Sequence, residues 1–468
     1  MIKKNKTTTN KLILLAFSLA AYFLYQSSSR AQPIAAGAYQ SLTICSDSTV
    51  WSFGGNFYGQ LGNGNNTNSN IPVYVSPLKG IISVSAGFGH SLALKNDGTV
   101  WAWGDNSYGA LGDGTNTNSN IPVQVVGLNG VIAIAAGGFF HSLALKNDGT
   151  VWAWGGNTDG QLGIPGVGIS NIPLQINSLS GVVAIAGGLK HSLAVKNDST
   201  VWAWGWNGYG QAGQVSGNPN IPTQVNSLSG ILAVAGGWQH SLALKSDGTV
   251  WAFGDNSYGD LGDGTNIGTT YPVQVNSLTG VIAIAAGNGH SHALKGDSSI
   301  WSWGYNGDGE IGDHTNQSTY LPVSTSLKGA VAIAAGSGHV IAMKKDASIW
   351  AFGFNGDGEL GNGGNSASNF PISTNASCNI TISTNDKSEK LNFTIYPNPF
   401  SSSTKILFKE EQKNACIKII DLFGKTINAI KFSGKQFIFE KKNLKEGIYF
   451  LQISDDKNRI SNLKMVIE

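Results

Sequence analysis

His90-Ser-Leu-Ala-Leu-Lys-Asn-Asp-Gly-Thr-Val-Trp-Ala-Trp-Gly104 is the stretch on which the fold turns. Large and small residues alternate on both sides of Asn96-Asp97-Gly98-Thr99, a hairpin signal, so it predicts two antiparallel strands. In Val100–Gly104 both indoles fall on one face, with Val100 and Ala102 on the other; in His90–Leu94 the leucines oppose Ser91 and Ala93. A strand apolar on both faces must be covered on both. That condition excludes a sheet with one wet side and favours radially stacked blades, the bulky face of one against the small face of the next.

The run recurs, with its first Trp at Trp51, Trp101, Trp152, Trp202, Trp251, Trp301 and Trp350, at intervals of 50, 51, 50, 49, 50 and 49 residues. A period near 50 fits a propeller blade rather than a helical solenoid, and seven copies can close a ring. Burying roughly 150–250 Å² per indole is worth about 4–6 kcal/mol gross at roughly 25 cal/mol per Å². The 13 Trp can therefore hold a ring that has little else hydrophobic.

The ends of the repeat carry their own expectation. The first copy begins at Pro33-Ile34-Ala35-Ala36-Gly37, short of most of a strand, while the last continues past Pro371 into Cys378-Asn379-Ile380-Thr381-Ile382. Counting from the prolines puts Ile380 in register with Val131, so residues 378–383 are expected to complete the first blade. Cys45 should then lie near Cys378, as a disulfide across the closure or as two unpaired thiols.

Composition marks the domains. Of the 62 Gly, only Gly424, Gly434 and Gly447 lie beyond residue 383, and every Trp lies before it. The expected order is a body over 32–383, a linker over 384–390 and a strand-rich tail over 391–468. Residues 1–31 carry five basic and no acidic residues: Lys3, Lys4, Lys6 and Lys11 precede the apolar Leu12–Tyr25, and Ser29-Arg30-Ala31 offers a cleavage site. This is the pattern of a secretory signal peptide, too short for a membrane span, and no transmembrane segment is expected in the mature form. The body carries 10 Lys against 18 Asp and Glu, and an acidic surface repels phosphate backbones, so nucleic acid is excluded as its partner.

The segments His90–Gly104 and Tyr108-Gly-Ala-Leu-Gly-Asp-Gly114, recurring over some 350 residues, together resemble the regulator of chromosome condensation (RCC1) repeat. The resemblance implies a seven-bladed β-propeller, in a family whose members include a chromatin-docked nucleotide-exchange factor and a secreted inhibitor of β-lactamases. Fold does not carry function across that range. Tyr396-Pro397-Asn398-Pro399-Phe400, Ala415–Asp421 with Leu422-Phe423-Gly424, Gly447-Ile448-Tyr449 and Lys464-Met465-Val466 look like the C-terminal sorting domain of the type IX secretion system. That resemblance implies a small β-sandwich, engagement of the type IX machinery, export across both membranes, and release or attachment at the cell surface.

No constellation in the chain carries catalysis. His90, His141, His191, His240, His290 and His339, with Gln40 in the first copy, form a ring of imidazoles that invites a metal. A group needed once per blade is structural, however, expected to hydrogen-bond the adjacent turn; only His292 and His314 break the pattern, and neither has a ligand cluster. Loops such as Asn306-Gly-Asp-Gly-Glu-Ile-Gly312 lack the spacing of a calcium loop, and no Ser sits in a nucleophile elbow. The expectation is a non-enzymatic protein with neither cofactor nor metal.

What differs between copies is more informative. Antiparallel connectivity brings two sets to one end of the blades. Tyr39, Phe88, Phe139 with Phe140, Leu189 and Trp238 precede the His position; Trp206, Tyr305 and Phe354 follow Trp-x-Trp-Gly. An inserted residue in the third interval is expected to push Gly138-Phe139-Phe140 outward. Clustered aromatics on one face are the usual anchors of a protein interface, although some can fold down and cap the ring. The leading expectation is capture of a macromolecular partner, protein first. A surface glycan-binding module comes second and a secreted hydrolase or lyase third.

Overall fold

The computed structural model describes residues 32–375, 393–396, 400–420, 426–441, 444, 447–454 and 460–467. These divide into two compact units, one up to Ile380 and one from Thr381. The signal sequence, the linker, Cys378 and residues 378–383 lie outside the described residues.

The first unit consists of seven four-stranded antiparallel sheets, each built from consecutive strands. The second is typical: Ile81–Ala86, His90–Lys95, Val100–Gly104 and Ser119–Gln124, in that order. The first sheet is complete within its own copy, because Ile34–Ala36 supplies a three-residue inner strand pairing with Ser41–Thr43. The strand expected over 378–383 lies outside the described residues, within which that sheet has four strands. Cys45, just past the second strand, is held in a disulfide.

The seventh sheet packs on the first. Ile34 shares an apolar cluster with Ile341, Ile349 and Leu360, and the Ser337 N–H donates to the Gly37 carbonyl at 3.1 Å. The seven sheets thus form the β-propeller that the repeat predicted.

The second aromatic of each Trp-x-Trp/Phe-Gly run makes the seam between blades. Trp103, Trp154, Trp204 and Trp303 are fully buried, and their Nε1–H groups donate to the carbonyls of Gln60, Ala110, Gln161 and Asp260 in the preceding blade at 2.8–2.9 Å. Each ring lies against a glycine of that blade: a Cβ on Gly112 would stand 2.8 Å from Trp154 Nε1, and Gly112 also has φ +65°. Bulk on one face therefore meets bareness on the next.

The histidines complete the seam. His90, His141, His191 and His240 are buried, and their Nε2 atoms lie 2.8–3.1 Å from Ser142, Ser192, Ser241 and Ser291 Oγ of the following blade; His339 meets Ser41 at 2.8 Å. They bridge blades rather than bonding their own turns, as the sequence had suggested. Where Val340 replaces the serine, His290 Nε2 turns to the Ser337 carbonyl at 3.1 Å. In the first blade, Gln40 Nε2 donates to the carbonyls of Gly87 and His90.

The second unit is a five-stranded antiparallel sheet. Its strand Ser403–Ile420 pairs along much of its length with Thr426–Glu440, and register breaks between Leu407 and Ala415 divide it in two. Ile406 and Phe408 from one half share a core with Ile417 and Ile419 from the other, so the layers of this domain are two parts of one sheet.

Candidate functional site

Two segments of every blade meet at the end where the second strand begins. His90 pairs with Gly104, so the turn before the histidine and the loop after Trp-x-Trp-Gly lie side by side, tied by the Asp105 N–H donating to the Gly89 carbonyl at 2.8 Å. The same bond recurs from Gly55 to Tyr39, Gly156 to Phe140, Trp206 to Lys190, Asp255 to Gln239, Tyr305 to Gly289 and Phe354 to Gly338. A buried asparagine stiffens each loop from within: Asn106 Oδ1 accepts from the Leu111 N–H, and its Nδ2 donates to the Thr115 and Thr117 carbonyls. The loops that look like calcium sites are built this way throughout.

All nine expected contact residues stand on this face, and all are half-buried. Five of them, Tyr39, Phe88, Phe139, Phe140 and Trp238 from blades 1, 2, 3 and 5, join one aromatic network. Tyr39 meets Phe88 edge-on at 5.1 Å, Phe88 meets Phe140 at 5.7 Å, and Phe140 stacks on Tyr108 at 5.3 Å beside Phe139. Phe88 also reaches Trp238 of the fifth blade at 6.4 Å, across the mouth of a central cavity of about 80 Å³ that both residues line with Leu189. Part of the crown therefore caps the ring, and part frames it.

The inserted residue of the third copy does not simply push outward. Phe140 takes φ +57°, uncommon for a bulky residue, while Gly138 and Phe139 donate backbone hydrogen bonds sideways to Gly188 and Leu189 of the fourth blade. Lys190 Nζ lies over Phe139 at 4.3 Å and Trp206 at 5.9 Å, and pairs with Asp159 at 3.1 Å.

Trp206, Tyr305 and Phe354 lie back over their own loops. A Cβ at Gly208, Gly307 or Gly356 would strike these rings at 2.9, 2.1 and 2.5 Å respectively. Only these three copies carry Gly two residues past Trp-x-Trp/Phe-Gly plus one, so the aromatic and the glycine go together.

Several face residues escaped the sequence reading. Tyr108 extends the network, while Tyr209 stands edge-on to Trp206 at 5.4 Å and Tyr258 edge-on to Tyr305 at 4.9 Å as separate pairs. They recur in several copies and so looked like part of the repeat. Also missed was the position before Leu/Ala/Ile-Gly, which reads Gln60, Ala110, Gln161 and Gln211 in blades 1 to 4 and Asp260, Glu310 and Glu359 in blades 5 to 7. These three acids are buried. Burial raises Asp260 to about 8 and Glu310 and Glu359 to about 7, with Asp255, Asp308 and Asp357 respectively adding charge repulsion.

The histidines shift the opposite way. Burial lowers His90 and His290 to about 4 and His141, His191, His240 and His339 to about 3, so all are neutral at pH 7. His292 fills a leucine position and bridges His290 Nδ1 at 2.7 Å and Ser302 Oγ at 2.8 Å. His314 stacks on Phe370 at 5.4 Å. Among the described residues, no group of three or more His, Cys, Asp or Glu side chains is placed to hold a metal ion.

Residues 78–384 match the family described as RCC1-like domain, and residues 47–94 match the RCC1 repeat. The chain belongs to the RCC1-like domain family. Among solved structures, human WBSCR16 is 27% identical over 66% of this chain and 86% of its own, with a TM-score of 0.61. Prp20p from Saccharomyces cerevisiae, whose structure was described with its binding to Gsp1p and histones, is 24% identical over 76% of this chain and 90% of its own, TM-score 0.64. The same yeast RCC1, solved with Kap60, aligns at 22% identity over 75% and 86%, TM-score 0.64. No curated protein matches the chain. This RCC1-like protein also carries a secretion-system C-terminal sorting domain over residues 394–468, which assigns it to type IX export and to the cell surface or the extracellular space. No helix among the described residues is long and apolar enough to cross a membrane.

Proposed function

We propose that this secreted RCC1-like propeller is a non-enzymatic binding protein that captures a protein partner through its aromatic face. The observation that carries the reading is the contrast within each repeat. The Trp/Phe and His positions that recur around the ring hold the seam, whereas positions that differ between copies, Tyr39, Phe88, Phe139, Phe140, Leu189, Trp206, Trp238, Tyr305 and Phe354, share one face. Half-buried rings braced against one another present large rigid surface at little cost in side-chain freedom, which is what interface anchors require. Phe140 adds a strained backbone, the kind retained where a side chain must be aimed. Yeast Prp20p, of the same fold, is a protein binder, so such a ring can serve this purpose.

The test is affinity capture from the protein's own extracellular milieu with the secreted protein and with the Phe139→Ala, Phe140→Ala, Trp238→Ala triple variant. The reading expects a protein retained by the wild type and lost by a variant that remains folded. Equal capture by both would move the interface elsewhere. Retention of glycans on an array, with no protein captured, would replace the protein by a sugar.

A further inference from the structure

The aromatic face is electrostatically lopsided. Over the seven turns before the histidine position and the first six residues after each Trp-x-Trp/Phe-Gly run, the acids are Asp105, Asp159, Asp255, Asp260, Asp308, Glu310, Asp357 and Glu359. The only cation in these segments is Lys190, already paired with Asp159. Six of the eight acids belong to blades 5 to 7, and among the described residues none of the six forms an ion pair. The repeat's other lysines of fixed position, Lys95, Lys146, Lys196, Lys245, Lys295 and Lys344, end the second strands at the far side of the ring.

Blades 6 and 7 of this sector are also recessed. Where other turns carry Phe88, Phe139 or Trp238, blades 6 and 7 read Gly287-Asn288-Gly289 and Gly336-Ser337-Gly338. A Cβ placed on Gly289 would sit 3.4 Å from both Tyr258 and Tyr305 and 3.8 Å from Asp260 Oδ1; one on Gly338 would sit 3.1 Å from Phe354 and 3.8 Å from Glu310 Oε1. Carboxyl oxygens thus point at bare backbone beneath aromatic rings. Asp260 Oδ1 and Glu359 Oε1 are buried without a hydrogen-bond partner, on side chains 1% and 0% exposed. An acceptor left so is costly unless a donor arrives.

We infer that the sector of the face formed by blades 5 to 7 receives a basic segment of the protein partner, with lysine or arginine side chains seated against Tyr258, Tyr305 and Phe354 in the field of Asp255, Asp308 and Asp357 at the surface and Asp260, Glu310 and Glu359 beneath them. An aromatic ring beside a carboxylate suits a cation on both counts, through the π-face and through charge-assisted hydrogen bonds. Because burial holds these acids partly protonated near neutral pH, a bound cation displaces protons and affinity rises with pH through 7 to 8. The inference rests on the proposed protein-binding face and names the chemistry of what docks there.

The chain supplies its own control, since Gln60, Gln161 and Gln211 fill the same position and bond the backbone two residues earlier, as Glu310 and Glu359 do. Asp260→Gln, Glu310→Gln and Glu359→Gln together should therefore fold. The probes are fluorescein-labelled nona-arginine, nona-lysine and nona-glutamate, followed by anisotropy on the full secreted protein at pH 6 and pH 8. Expected are binding of the two cationic peptides only, stronger at pH 8 and roughly tenfold weaker in the triple Gln variant. Equal binding of the cationic peptides by wild type and triple Gln variant overturns the inference and leaves the protein-binding reading standing. Cation binding that survives while the alanine variant still captures its partner overturns that reading instead.

Discussion

Two sets of aromatic side chains in this propeller have opposite fates. Trp103, Trp154, Trp204 and Trp303 are fully buried, each held by a bare glycine and one carbonyl of the preceding blade. Phe139, Phe140 and Trp238 are half-buried and touch chiefly other face residues. The first set has the same partner geometry in each of its four copies, so repetition there is enforced by packing; the second has no such constraint and differs from copy to copy. Stability and recognition are therefore carried by different residues a few ångströms apart, and substitutions should separate them.

Acid should have the largest effect, because it strikes the seam everywhere at once. The six seam histidines have folded values of about 3 to 4 against an ordinary 6.5. Their contribution is complete above pH 6.5 and is lost as pH falls toward those values, by up to about 1.4 kcal/mol per unit for each histidine. Asp260, Glu310 and Glu359, raised to about 7 or 8, act in the other direction: their contribution is present at low pH and is lost as pH rises through their folded values. The histidines outnumber the acids, so denaturant midpoints should peak near pH 6.5, falling steeply below and gently above. A plateau from pH 4 to 6 would contradict neutral, buried histidines.

Single seam substitutions come next. Trp204→Ala should cost about 3–5 kcal/mol, read from urea unfolding, since it opens a cavity and strips the Gln161 carbonyl of one donor. Ser241→Ala should cost about 1–3 kcal/mol by leaving His191 Nε2 without its partner. A cost near zero there would show that, as Val340 does naturally, the seam can do without the hydroxyl. The smallest effect on stability belongs to the face: the Phe139, Phe140, Trp238 alanine variant should lose about 2 kcal/mol or less. A seam-sized loss would mean that these rings hold the fold rather than a partner.

Much of this was legible because the repeat reports its own packing. The alternation in Val100–Gly104 announced strands covered on both faces, and the period announced blades; the seam itself follows from those two facts. The histidines were recognisable as structural, but not their partners, because a bond from His191 to Ser241 spans two copies and leaves no local pattern. The face was placed correctly from connectivity alone. Its interior was not. Whether Phe88 points outward or across the ring to Trp238 depends on the radius of the central opening, which no strand pattern encodes. The change from Gln211 to Asp260, Glu310 and Glu359 was in plain view, yet its meaning appears only when burial is known.

Hydrogen–deuterium exchange of the secreted protein with and without its captured partner would show which end of the ring is the binding face. New protection is expected in the turns before the histidine position and the loops after each Trp-x-Trp/Phe-Gly run, with Gly138–Phe140 and Gly237–Gln239 among them, and unchanged exchange in the hairpins such as Asn96–Thr99 at the far end. Protection confined to those far hairpins would contradict binding at the aromatic face.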